Sequence, residues 1–296
     1  MIVAPIVLFT YNRPRHLKQT VETLQKNLYA DRSELFIFSD GPKNEKDEIK
    51  VKEVREYIKT IKGFKTIEII ERDRNWGLAN NIIDGVTKIV NDYGKIIVLE
   101  DDLDTSPGFL KFINEGLELY EDEYKVASIH GYVYPLSNPE KLPETFFIRG
   151  ADCWGWGTWA RAWKYFEPDG KKLLEEMKKR KLTREFDFNN SYPYTKMLKD
   201  QIKGKNNSWA VRWYASAFLN DMFTLYPRKS LVMHIGFGGT HYGSDNILDV
   251  EIVGQINVVK IPVEECLEAR AQFEDFLKKN FAFRNRIWNK LKRLFL

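Results

Sequence analysis

Apolar and polar positions along the chain follow two alternating periods. Ile2 to Phe9 is a continuous apolar run, and Arg15 to Leu28 places Leu17, Val21, Leu24 and Leu28 at helical spacing. The pattern then predicts a strand over Leu35 to Ser39, a lysine- and glutamate-rich helix over Glu45 to Ile61, a strand over Thr66 to Ile70 and a helix over Leu78 to Val90. Lys95 to Leu99 makes a fourth strand, short, β-branched and unalternating, as expected of a parallel strand covered on both faces. Strands separated by helices imply right-handed crossovers and helices on both sides of a mostly parallel sheet, an α/β architecture.

After Asp104 the pattern changes. Ser106-Pro107 predicts an N-cap with proline at the first helical position, opening a helix to about Glu121, and Val126 to Gly131 reads as another core strand. Tyr132 to Gly150 is aromatic and contains proline, and Ala151 to Trp163 is rich in tryptophan. With no linker and no internal repeat, residues 1–262 read as one domain, 1–104 and 105–262 being its halves, followed by C-terminal helices over 263–296.

In such sheets ligands bind outside the carboxyl ends of the strands. That rule selects the loops Thr10 to Arg13, Ser39 to Pro42, Arg72 to Asn75 and Glu100 to Asp104, all polar. Glu100, Asp101 and Asp102 together are costly unless a cation neutralises them, and hard oxygen ligands of this kind select Mg²⁺ or Mn²⁺ bridging to phosphates. The other reading is an acidic loop in solvent. Asp40, in Ser39-Asp40-Gly41-Pro42, either accepts hydrogen bonds from a base or ribose or makes an Asx turn. Thr10, Asn12 and Arg13 precede a helix N-terminus, where free N–H groups and an Arg fork suit an anion, while Thr10 or Asn12 could also cap that helix. Arg74, Asn75 and Gly77 before the third helix carry the same double reading. In Trp154-Gly155-Trp156-Gly157-Thr158-Trp159 the glycines suggest aromatic faces exposed to a sugar, against the usual burial of tryptophan.

Composition bounds the rest. At 43% hydrophobic, 296 residues can bury one large core or a core plus a smaller region. Cys153 and Cys266 match no metal or redox spacing and suit free thiols in a reducing compartment. Met1 to Phe9 lacks a basic n-region and a cleavage site, and no later run approaches the roughly 18 apolar residues of a membrane span, so a cytoplasmic protein is expected. The net charge of +4 hides five cations after Phe281 (Arg284, Arg286, Lys290, Lys292, Arg293), leaving the preceding chain near −1. That excludes a general nucleic-acid surface and leaves a basic amphipathic tail, with Ile287, Trp288, Leu291, Leu294 and Phe295 on its apolar face. Such a tail fits the anionic inner face of a membrane, or packing on its own domain.

With those residues assembled, the chain resembles GT-A glycosyltransferases, specifically family 2 enzymes and bacterial relatives of N-acetylglucosaminyltransferase I. Phe9 to Pro14, Ser39-Asp40-Gly41, Asn75 to Ala79, Val98 to Leu103 (the DXD-type acidic run), Gly155 to Trp159, Trp209 to Trp213 and Ile235 to His241 carry the likeness, over roughly residues 3–243. The resemblance implies a nucleotide-sugar donor such as a UDP-sugar, with Asp40 on the base, Asn81 and the first loop near the uridine, Asp101 near the ribose or sugar, and Asp102 on the metal. It puts His241 on a late loop as a ligand or phosphate contact, and Trp209 and Arg212 on the acceptor side. It implies transfer of a hexose or N-acetylhexosamine to a surface-glycan or lipid-linked acceptor in polysaccharide biosynthesis, with inversion. One departure stands out: inverting relatives carry a carboxylate near the helix starting about Trp209, where this chain has Asn206, Asn207 and Ser208. A base must reach the acceptor hydroxyl, and Asp152 is the first candidate, ahead of Asp200 and Asp221. The alternatives are a glycosyltransferase-like protein that binds without turnover, and a sugar nucleotidyltransferase, which the non-glycine first loop disfavours.

Overall fold

The computed structural model describes residues 2–236 and 248–282. The first half runs β1 (Ile6–Thr10), α1 (Pro14–Leu24), β2 (Glu34–Ser39), α2 (Glu45–Ile58), β3 (Thr66–Glu71), α3 (Leu78–Tyr93) and β4 (Lys95–Glu100), the alternation that the hydrophobic pattern predicts. Its four strands are parallel, in the order β3-β2-β1-β4. β1 is buried at every position, whereas β3 at the sheet edge alternates exposed and half-buried residues. The register sets Thr10 beside Ser39 and Phe9 beside Glu100, so the loops after β1, β2 and β4 leave the sheet on one rim. Helix α3 lies close over β1 because Gly85 has no side chain: a Cβ there would meet the Phe9 ring at 2.7 Å. The helix stops at Gly94, left-handed at φ 78°, whose N–H closes on the Val90 carbonyl.

The second half continues through β5 (Leu103–Thr105), α4 (Phe109–Leu119), β6 (Val126–His130), β7 (Thr145–Arg149), β8 (Trp156–Trp159), α5 (Ala160–Trp163), α6 (Gly170–Lys179), α7 (Thr183–Phe186), α8 (Tyr194–Ile202), α9 (Trp209–Leu219), β9 (Phe223–Pro227), β10 (Val232–His234) and α10 (Leu267–Leu277). β8 runs antiparallel between β4 and β6, β9 lies parallel to β6, and β7 closes the eight-stranded sheet antiparallel to β9. The result is a mostly parallel central sheet flanked by helices, the GT-A type of α/β fold. Separately, β5 and β10 form an antiparallel ribbon that sets His234 opposite Leu103, next to the acidic run.

Three local expectations need correction. Helix α4 starts at Phe109 behind Gly108, because Thr105 and Leu103 are committed to the ribbon with β10; Ser106 accepts from the Phe109 N–H through its carbonyl, and its hydroxyl caps nothing. Neither Thr10 nor Asn12 caps α1, since Thr10 donates to Asp101 and Asn12 to Asp47. The glycines of the tryptophan segment serve packing, and of the rings beside them Trp156 is enclosed while Trp154 stays half-buried. A Cβ on Gly157 would meet Ile113 of α4 at 2.5 Å, and one on Gly155, at φ 65°, would meet Val232 at 2.8 Å.

Strand alternation sorts the tryptophans between the two faces of β8. Trp156 is fully buried among Trp163, Trp209 and Trp213, while Trp159 turns toward α4 and donates its indole N–H to the Leu117 carbonyl. Beneath α9 and α10, Phe186, Phe188, Tyr214, Phe218 and Phe273 belong to a second apolar cluster.

Candidate active site

The acidic run leaves β4 at the sheet rim, and its three members differ sharply. Asp101 turns inward, buried, and its Oδ2 accepts from Thr10 Oγ1 at 2.8 Å and from the Tyr11 backbone N–H at 3.1 Å. Burial, and then the charge of Asp102, push its carboxyl up to about 6. It therefore fastens the first loop to β4. Asp102 accepts from Arg13 Nη1 at 2.6 Å, and His234 Nε2 lies 3.3 Å from the same Oδ2. Burial alone would raise its pKa, but the hydrogen bond and charge of His234, with those of Arg13, outweigh it and hold Asp102 below the usual carboxylate value. Glu100, half-buried, is raised, by burial first and then by Asp102 and Asp101. It faces a chamber on the other side of the rim.

Asp40 is a loop anchor. Its Oδ1 accepts from the N–H groups of Gly41 at 2.9 Å and Trp76 at 2.8 Å, and its Oδ2 from Gly77 N–H at 2.9 Å and Asn75 Nδ2 at 3.2 Å. The carboxylate thus ties the β2–α2 turn to the loop entering α3, and a Cβ on Gly41 would strike the Arg74 backbone at 2.5 Å. Arg74 itself is exposed. Asn81, buried, accepts Arg72 Nε at 2.8 Å, and Arg72 packs its guanidinium over Trp76 at 4.0 Å while pairing with Asp84. Arg72 opens the loop Arg72 to Asn75 that the strand-end rule selects, but within that loop the sequence singled out Arg74, Asn75 and Gly77 instead. Asn12 and Tyr11 both donate to Asp47, at 2.8 and 2.9 Å, which pins the first loop to α2.

On the far side of Glu100 opens a chamber of about 330 Å³. Asp152 sits in its wall, and Tyr226 Oη donates to Asp152 Oδ2 at 3.2 Å. Burial pushes this carboxyl up to about 6 against the opposing hydrogen bonds of Tyr226 and Tyr134. Trp154 also lines the chamber, half-buried and stacked on His234 with centroids 4.5 Å apart. Behind both, His130 is fully buried and neutral, its pKa pressed down to about 3 by burial. Its Nδ1 contacts the Tyr132 carbonyl at 2.7 Å and its Nε2 accepts the Trp154 N–H at 3.1 Å, which settles the tautomer as Nδ1–H. Nothing in the local pattern around His130 marked it, and Tyr134, Tyr192 and Tyr194 were equally silent.

The predicted residues fall into separate groups. Thr10, Arg13, Asp101 and Asp102 meet at one point; Asp40, Arg74 and Asn81 belong to the neighbouring loop system; Glu100, Asp152, Trp154 and Trp209 line the chamber. Trp156 is corrected to a core residue, because its ring is enclosed by three other tryptophans. Arg212 is likewise buried and clamps the Ser208 and Pro168 carbonyls at 3.1 Å each, so its guanidinium braces α9. Asp200 pairs with Lys196 and Asp221 with Arg149, and neither lines the chamber. His241 lies outside the described residues; His234 occupies the place beside Asp102.

No group of three or more His, Cys, Asp or Glu side chains among the described residues forms a ready metal cage. A divalent ion of the Mg²⁺ type needs only one or two carboxylates when substrate phosphates complete its shell. Among the described residues, Asp102 and His234, whose Nε2 lies 3.3 Å from Asp102 Oδ2, are the pair of ligand types brought together at this rim.

No curated protein matches the chain. Among solved structures, the chain is similar to S. aureus TarS 1-349 (11% identity, 75% of this chain and 60% of that one, TM-score 0.39). It is also similar to the galactosyltransferase LgtC in complex with donor and acceptor sugar analogs (9%, 75% and 72%, 0.40). A third is the mannosyltransferase PcManGT from Pyrobaculum calidifontis in complex with GDP-Man and Mn²⁺ (10%, 59% and 46%, 0.36). Two further TarS structures are covered over only 21% and 34% of their length. Likenesses this distant fix neither donor nor acceptor. The sequence itself is matched by the family model described as "Glycosyl transferase family 2" over residues 6–192, which is more than half of the chain, and the chain therefore belongs to glycosyl transferase family 2.

Proposed function

We propose that this glycosyltransferase moves a hexose or N-acetylhexosamine from a nucleotide diphosphate sugar, a UDP-sugar by preference, to a surface-glycan or lipid-linked acceptor with inversion. The observation that carries the reading is the placement of two acids in unlike settings across one rim: Asp102 held ionised by Arg13 and His234, and Asp152 raised to about 6 in the chamber that Glu100 borders. Asp102, with His234, would hold Mn²⁺ or Mg²⁺, which when bound offsets the charge on the departing diphosphate. Arg13, with a planar fork at the same point, orients the phosphates. Residues 1–104 form the donor half, with Asp40 and Arg72 fixing the loop before α3, and residues 105–262 form the acceptor half.

In the transfer, Asp152 accepts the proton of the acceptor hydroxyl as the oxygen attacks the anomeric carbon. The carbon–oxygen bond to the diphosphate breaks, and its electron pair leaves with the diphosphate. Asp152 ends protonated and the anomeric centre inverted. A carboxyl at about 6 is a stronger base than an exposed one and is still mostly ionised at neutral pH. Trp154 supplies a ring for the C–H face of a sugar.

Transfer and donor hydrolysis with a panel of nucleotide sugars, with and without Mn²⁺, test the reading on wild type and Asp102→Ala. Metal-dependent turnover that Asp102→Ala lowers at least 100-fold is expected. Nucleotide binding without turnover from any donor would instead make the chain a binding protein.

No helix among the described residues is long and apolar enough to cross a membrane. The five cations after Phe281, outside the described residues, support peripheral attachment to an anionic leaflet. Equal sedimentation with phosphatidylglycerol liposomes by the full chain and a chain ending at Asn280 would remove that part of the proposal.

A further inference from the structure

The partners that hold Asp152 are hydroxyls. Tyr226, on β9, donates to its Oδ2 at 3.2 Å, and Tyr134, in the segment after β6, also hydrogen-bonds the carboxylate. An ionised carboxylate only accepts, so Tyr134 donates its one proton there, and Tyr194 therefore donates in the bond that joins it to Tyr134. Tyrosines from separate stretches of the chain thus converge on one acid of the chamber wall. The rings that reach Asp152 are themselves seated by packing. Tyr226 is buried, stacked on Phe146 with centroids 6.1 Å apart and met edge-on by His130 at 5.1 Å and Phe273 at 5.3 Å. Tyr134 packs on the same Phe273 at 5.3 Å and stacks on Phe276 at 5.1 Å. Phe273 and Phe276 both belong to α10, so this helix braces both hydroxyls.

A group that takes a proton from a substrate needs fixed orientation and retained basicity, and these oppose each other. A charged partner fixes a carboxylate but stabilises its anion and weakens it as a base, as happens at Asp102, where His234 and Arg13 outweigh burial. A phenolic hydroxyl also fixes it, yet stabilises the anion less because the donor is neutral. We propose that Tyr226 and Tyr134 are positioning residues for Asp152, their hydroxyls fixing the plane of its carboxylate so that a lone pair stays presented to the acceptor hydroxyl. The part in transfer rests on Asp152 being the base; the holding of the carboxylate rests on the two hydrogen bonds. Other titratable side chains surround Asp152: Glu100 at the end of β4, Cys153 next in the chain, Tyr192 and Tyr194 at the entrance to α8, and the neutral His130 against Tyr226. All of them stay in place in the variants that test the proposal, so a change in the titration of Asp152 belongs to the hydroxyl removed.

Tyr226→Phe and Tyr134→Phe each delete one oxygen and keep the ring. Carbon-13 aspartate NMR of the full chain, with the Asp152 signal identified by its loss in Asp152→Asn, reads the titration directly. Hydrogen bonds to the anion lower its pKa, so the midpoint should rise by about 0.5 pH unit or more in each variant, and further in the double variant. The acid limb of kcat/KM should move up with it. At pH 8, where the carboxylate is largely ionised in all of them, kcat should still fall about tenfold while the acceptor KM changes less than about twofold, the mark of lost orientation. UDP affinity in the presence of Mn²⁺ should persist, which certifies the fold. A midpoint unchanged in both variants, or a lowered melting temperature as the sole effect, would overturn the proposal, since either makes the tyrosines packing residues. Should Asp152→Asn keep wild-type kcat, the base assignment falls, while the NMR midpoints still decide whether the tyrosines hold the carboxylate.

Discussion

Asp152 couples the proposed chemistry to stability. Its folded-state pKa, about 6, lies above the ordinary aspartate value of 3.8 because burial disfavours the anion. The contribution to stability is fully present below the unfolded value and is lost as pH rises through the folded one. By pH 8 the ionised carboxylate has cost about 3 kcal/mol relative to a neutral group, at about 1.36 kcal/mol per pKa unit. Asp152→Asn should therefore melt later than wild type at pH 8 and show little difference at pH 4, measured by calorimetry. The same substitution should lower kcat at least 100-fold, and wild-type kcat/KM should climb with pH through about 6, because the base must be ionised to act. A variant that is both less stable at pH 8 and fully active would contradict the assignment. Glu100, Asp101 and Asp102 were adjacent and chemically alike in the sequence. Their division into a chamber-facing acid, a loop fastener and an Arg-paired carboxylate arises from which backbone atoms and side chains surround each one.

Loops between elements are held by a few close contacts, which Gly236 and Asp40 test from opposite directions. Gly236 follows β10, and a side chain there would press on the Asp102 carboxylate. Gly236→Ala should reproduce much of the activity loss of Asp102→Ala while leaving the melting temperature within a few degrees. Asp40 offers the opposite case. Removing its carboxylate strips the partners from the N–H groups of Gly41, Trp76 and Gly77. With about 1–3 kcal/mol for a buried donor left unpaired, Asp40→Ala should destabilise the protein by about 3 kcal/mol in urea titration and weaken UDP binding at least tenfold through disorder of the α3 entrance. A loss of UDP affinity with unchanged stability would instead place Asp40 directly on the nucleotide. Sequence reasoning left Asp40 between an Asx turn and a base contact, and the geometry favours an anchor that spans two loops.

Across the whole molecule the tryptophans separate structure from site. Trp156 closes a fully buried cluster where β8 meets α9, so Trp156→Ala should cost about 4 kcal/mol, the usual scale for deleting a large core ring. Trp154, two residues earlier, is half-buried at the chamber wall. Trp154→Ala should cost under about 2 kcal/mol and yet remove glycoside binding, with chemical denaturation and NMR titration as the paired measurements. Equal destabilisation by the two substitutions would refute this partition.

Local periodicity sufficed for the alternation from β1 to β4, because a buried parallel strand must be apolar on both faces and its crossover helix must show one apolar stripe. It also sufficed to place Glu100, Asp101, Asp102 and Asp40 at the carboxyl rim, since topology alone puts those loops together. Caps and ring exposure were not legible. Gly155 and Gly157 look the same in sequence whether they free a ring or admit a helix, and only the approach of α4 and Val232 distinguishes these. The partners of Asp102 and Asp152 were equally hidden, because His234 and Tyr226 reach them through pairings separated by more than seventy residues. Residue types and short-range spacing are local quantities that the chain carries in itself, whereas burial, pairing and pKa depend on neighbours that only the folded chain brings near.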